Sequence, residues 1–87
     1  MANHKQSGKR ARQTIRRETR NTAIETRVKH SVRTLRTALE AGDKEASKTA
    51  LKVATRELRR AATKGVLHKR TASRRVSRLS RAHNKLG

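Results

Sequence analysis

Residues 24–46 read IETRVKHSVRTLRTALEAGDKEA. Ile24, Val28, Val32, Leu35 and Leu39 recur at intervals of four, four, three and four, with Ser31 and Ala38 beside them. That spacing is one stripe on a helix. Gly42 then supplies the left-handed residue that ends a helix, and the Asp43 carboxylate stands where it can cap the exposed N–H groups of the next one. The stretch therefore predicts a helix, a tight turn and a second helix returning against the first.

Downstream the pattern repeats. Ala46, Ala50, Val53, Ala54, Leu58 and Ala61 share a face, while Lys44, Lys48, Lys52, Arg56 and Arg59 occupy the other. Gly65 stops this segment, with Val66 and Leu67 placed to pack over its end. Ala72, Val76, Leu79, His83 and Leu86 then form a third stripe. Short connections between three amphipathic helices predict an all-α antiparallel three-helix bundle. We expect one domain, 1–87, with bundle helices over 24–41, 44–63 and 68–86.

Upstream of Ile24 the stripe is not continued by apolar residues, because Arg17 and Asn21 take its positions. A first helix running from near Gly8 to Ala41 would be about 51 Å long, against about 30 Å and about 26 Å for the others. Residues 1–23 thus form a long basic N-terminal overhang. Residues 1–20, with seven cations and one anion, have nothing to pack against within the chain and are expected to fold fully on a partner.

Composition limits the alternatives. Of 87 residues, 14 are Ile, Leu or Val, none is aromatic, and the net charge is +19. This is the range of disordered chains, yet the absence of proline and the abundance of Ala, Arg and Lys favour a helical chain of marginal stability. Zero Cys excludes disulfides, zinc fingers and iron–sulfur sites and favours a reducing compartment. No apolar run approaches the ~18 residues of a membrane span, and the opening residues show no secretory h-region. So large a charge attracts polyanions, which makes nucleic acid the first candidate partner.

Catalysis has little support. The six carboxylates are scattered, and Glu18, Glu25, Glu40 and Glu45 each have a Lys or Arg three or four residues away, which reads as helix-surface pairing. His4, His30, His68 and His83 show no metal-binding spacing, so neither an enzyme nor a cofactor is expected. His83 falls on the third apolar stripe and reads as half-buried; His68, after Gly65, reads equally as a helix cap or a phosphate donor. Arg74-Arg75-Val76-Ser77 matches a basophilic kinase site, but such matches arise by chance in so basic a chain. A membrane-surface helix is disfavoured by the lack of Trp and Phe.

Without aromatic residues, bases cannot stack on aromatic side chains. Recognition must rest on Arg and Lys contacts to phosphate, helped by Ser, Thr and Asn donors, with specificity from the shape of a folded target. Arg outnumbers Lys 16 to 9, and its fork suits an ordered phosphate interface. In the acid-free segment 64–87, Arg70, Arg74, Arg78, Arg81 and Lys85 fall within about 80° of one another, opposite the apolar seam.

Met1-Ala-Asn-His-Lys5 with Gly8-Lys9-Arg10, the central Ala38-Leu-Glu-Ala-Gly42-Asp43-Lys44-Glu45-Ala46, and Lys64-Gly65-Val66-Leu67-His68-Lys69 followed by Ala72, Arg74-Arg75 and Ser77-Arg78-Leu79 resemble the bacterial small-subunit ribosomal protein family numbered twenty in the S series. The match runs in order along the whole chain. The resemblance implies a spectrin-repeat-like bundle that binds 16S ribosomal RNA directly and early in assembly, in its 5′ domain and with the 3′ minor domain as an additional candidate. It also implies few protein contacts, a monomer within the ribosome, no membrane partner, and a cytoplasmic location in a bacterial or organellar small subunit. Carried over by position, Lys5, Lys9, Arg10, Arg12, Arg16, Arg17 and Arg20 would grip rRNA, as would His68, Lys69, Arg74, Arg75 and Arg78. Arg70 stands where the family usually has Asn, and Val76 where it often has Lys, a change that moves this position toward the seam. The competing expectation is a DNA-compacting or basic-zipper protein, since basic residues 9–20 precede the stripe at 24–39. That stripe covers only about two heptads, short for a coiled coil.

Overall fold

A run of 40 residues without proline, ended by Gly42, forms a single helix, α1 (Ala2–Ala41). The computed structural model describes residues 2–86, with side chains described for 8–86. Helix α1 begins six residues earlier than the expected start near Gly8, because nothing at Gly8 breaks it, and its 40 residues span about 60 Å. Two shorter helices follow, α2 (Lys44–Thr63) and α3 (Lys69–Asn84). The third is shorter at both ends than 68–86: His68 is its N-cap and Lys85 its C-cap.

The two turns are set by glycine. Gly42 has φ +68°, its N–H donates to Leu39 O (3.1 Å), and the Asp43 N–H reaches back to Ala38 O (3.1 Å). This is the Schellman arrangement that satisfies the last carbonyls of a helix. Asp43 then serves α2, its carboxylate accepting from the Ala46 N–H at 3.0 Å. Gly65, with φ +78°, repeats the device: its N–H donates to Ala62 O, and the Val66 N–H donates to Ala61 O at 2.9 Å. Val66 and Leu67 are half-buried against the core below.

Helix α2 lies between the other two. Ile24 and Val28 of α1 pack with Leu58 and Ala61 of α2 and Ala72 of α3, and Leu35 packs with Ala50 and Ala54. Early residues of α1 meet late residues of α2, so these helices are antiparallel; Ala61 meeting Ala72 shows the same for α2 and α3. Leu35 and Leu58 are fully buried. The stripe at 24–39 is therefore spent inside the chain, which removes the seam a basic zipper would need. Val76 is half-buried beside Ala72, in the seam as expected.

Two buried polar side chains are also placed. Ser31 Oγ donates to Val28 O at 2.9 Å within its own helix. Ser47, fully buried near the start of α2, is hydrogen-bonded through Oγ to Nδ1 of the half-buried His83, tying the end of α3 to the start of α2.

With so few large apolar groups, one truncation should dominate stability. Leu58→Ala is expected to cost about 2–5 kcal/mol, comparable to the whole stability of a marginal domain. Circular dichroism of the free variant should show most of the bundle signal lost.

Candidate nucleic-acid interface

Every residue from Gly8 to Arg20 is exposed, so the first part of α1 is a free-standing arm. With ~3.6 residues per turn, Lys9, Arg10, Arg12, Arg16, Arg17 and Arg20 fall within about 160° of the helix circumference. Ala11, Ile15 and Glu18 take the other side, and Ile15 is 61% exposed. Lys5 belongs to the same run, but its side chain lies outside the described residues. The basic half of the arm overlaps at one edge the side that carries Ile24, Val28 and Leu35 further along, because Arg17 and Asn21 prolong that stripe. Arg10 and Arg17 therefore lie on the side of α1 on which α2 is packed, with Arg20 beside them and Arg12 turned away.

That orientation creates a re-entrant corner. The α2–α3 turn, residues 64–68, ends the bundle level with Ile24, since Ile24 packs near Ala61 and Ala72. Beyond it the arm continues alone. One wall of the corner is the arm's basic face; the other is the end of the bundle, carrying the exposed Lys64 and His68. Asn21 sits at the junction, half-buried, with its Oδ1 buried and without a hydrogen-bond partner.

The remaining sequence candidates divide among different surfaces. Arg70, Arg74, Arg81 and Lys85 are exposed and share the outer sector of α3. Arg75 and Arg78, also exposed, line a groove facing α1, and Lys69 lines a shallow recess with Arg59 of α2. Thus α3 presents cations in several directions. The groove also contains Lys29, Arg33 and Arg36, which sequence reasoning did not select. Their signal was present as a basic row one residue after Val28, Val32 and Leu35. It was masked because Glu25 and Glu40 lower the net charge of that segment.

Two hydrogen-bond findings refine the chemistry. His68 Nδ1 accepts from the Arg70 N–H at 3.1 Å, so this ring caps α3, and only Nε2–H remains to meet a phosphate. The hydroxyls of Thr19, Thr26, Thr34, Thr37 and Thr63 donate to carbonyls four residues earlier in their own helices, at 2.8–3.0 Å. Those threonines offer acceptor lone pairs outward, contrary to their expected use as donors. None of those five hydroxyl protons is left for an anion. Among the described residues no group of three or more His, Asp or Glu is placed to hold a metal, and no helix is long and apolar enough to cross a membrane.

The two roles of His68 separate by substitution. His68→Asn keeps a capping side chain and replaces the ring's Nε2–H by a shorter amide donor, whereas His68→Ala removes cap and donor together, at about 1 kcal/mol for the cap. Thermal melts should show the Asn variant near wild type and the Ala variant destabilised. If both melt alike, the cap contributes nothing.

Comparison with known proteins places the chain in a family. The model of the family described as ribosomal protein S20 matches residues 2–84. The small ribosomal subunit protein bS20 of Maridesulfovibrio salexigens is 54% identical over 86 residues, covering 99% of both chains. The bS20 of Sulfurimonas denitrificans is 50% identical over 84 residues, covering 97% of this chain and 98% of the relative. That of Campylobacter lari is 49% identical over 86 residues, covering 99% of both. A match of this extent and identity, on a helical chain with one long basic helix, shows that the chain belongs to the ribosomal protein S20 family.

Proposed function

We propose that this protein is a structural constituent of the small ribosomal subunit that binds 16S ribosomal RNA directly, and that it acts in the cytoplasm as part of the subunit and not as an enzyme. The observation that carries the reading is the one-sided arm. Six described cations project from a stretch of helix that no other described residue covers, and the bundle end beside it is itself cationic. A solvated face would have no reason to concentrate like charges in a concave corner, where they repel one another. A duplex edge laid in the corner meets phosphate-binding groups on two walls and relieves that repulsion.

The 5′ domain is the binding region we assign, with the 3′ minor domain a second contact for cations on the other surfaces. The protein would act as a monomer with few protein neighbours. It neutralises phosphates where RNA helices crowd and so favours one fold of the RNA during assembly. Binding in turn stabilises the bundle by mass action.

Equilibrium binding of the full chain to the 16S 5′ domain, with excess tRNA and duplex DNA as competitors, tests this. Retained nanomolar-range binding is expected. With about eight phosphates neutralised, the slope of log K against log salt should be near −7. Replacing Arg10, Arg12, Arg16 and Arg17 together by Ala should reduce the size of that slope by about 3.6. Equal displacement by the competitors would overturn the reading in favour of a non-specific DNA-coating protein.

A further inference from the structure

Helix α2 holds α1 and α3 apart on one side of the molecule, leaving a groove of about 660 Å³ between them. Val28, Val32 and Leu79 form its floor. Arg33 and Arg36 rise from α1 beside Lys29, and Arg75 and Arg78 rise from α3. Glu40, toward the end of α1, is the single carboxylate in the lining. We propose that this groove is the seat of an unpaired RNA strand, held by its phosphates at the rims and by its riboses and bases over the floor. The inference rests on RNA being the partner and names a second, chemically distinct contact.

The first of three features calls for an anion, and the other two select a single strand over a duplex. First, cations facing one another across a groove repel, and an anionic occupant removes that cost. Second, an apolar floor gains nothing from a duplex, which presents phosphate and 2′-hydroxyl outward and keeps its base faces stacked inside. An unpaired strand offers exactly the missing surface, the faces of its bases. Third, four arginines supply planar guanidinium groups, which stack on unpaired bases as well as fork phosphates. The chain lacks aromatic platforms, yet here it has a substitute for them. The volume lies within the range of small-ligand pockets, so it fits a short length of one strand. An acidic protein segment would match the rims but would leave the stacking planes unused.

The absence of cysteine makes the test clean. Thr37, exposed in the groove lining, is replaced as Thr37→Cys and labelled with a photo-crosslinker; Gln13→Cys on the arm is the control. Both full-length chains are assembled with the 16S 5′ domain, and separately into small subunits. The expected result is crosslinking from position 37 to unpaired nucleotides, and from position 13 into duplex. Arg33→Ala with Arg75→Ala, both exposed positions, should abolish the first crosslink and weaken binding about tenfold or more, the order a lost stacking contact carries. Helical content should not change.

Crosslinks from position 37 confined to duplex nucleotides, to a protein, or absent while position 13 still reacts would overturn the groove proposal and leave RNA binding standing. Failure of the unlabelled protein to bind the 5′ domain over competitors would remove the RNA reading and this inference with it. As a second readout, short oligouridylate added to the isotope-labelled full chain should shift the methyl resonances of Val28, Val32 and Leu79. An RNA duplex of equal charge should not, and equal shifts from both would contradict the proposal.

Discussion

Alanine on α2 is the contact on which everything else in this molecule rests. Ala50, Ala54 and Ala61 are buried with Leu58 along one side of that helix, and they pack against the apolar stripe of α1 and the seam of α3. Small side chains let neighbouring helices approach closely, so a chain with only 14 large aliphatics still forms a continuous interior. The same economy prevents closure on every side. Three helices with bulky residues at all three seams would seal around one axis. Here α2 serves both neighbours and the third seam stays open, with Leu79 reaching it from α3.

Charge follows from that interior by subtraction. Helix faces that meet no apolar partner carry Lys or Arg, and the arm, which meets nothing, carries them over half its circumference. Polar groups inside are few and mostly matched. Ser31 uses its own helix, and Ser47 uses His83. Asn21 Oδ1 and Glu57 Oε2 are buried without partners, each at a cost of order 1–3 kcal/mol. Such costs matter in a fold with so thin a core.

Much of this was legible residue by residue. Gly42 with Asp43, and Gly65 with Val66, carried their turns plainly, because a positive φ and a capping carboxylate leave narrow chemical signatures. The stripes at 24–39 and 46–61 located the seams. The start of α1 was not legible, since a glycine in a basic helix breaks it only if some competing contact rewards the break. Nor was the groove. Nothing in the sequence singles out Lys29, Arg33 and Arg36 until α3 brings Arg75 and Arg78 opposite them. Periodicity reports which way a residue points around its own axis. What stands across from it is a tertiary fact.

One uninterrupted helix holds two stabilities. From Ile24 to Leu39, α1 is locked by the bundle, and its amides open only when the whole fold does. From Gly8 to Arg20 the same helix has only its own hydrogen bonds, and an isolated segment of that length is marginal in water. The backbone amides along α1 should therefore run from near-global protection to rapid exchange with no break in secondary structure between. The arm's helix depends on its own backbone hydrogen bonds alone, so one continuous element carries a firmly held half and a loosely held one.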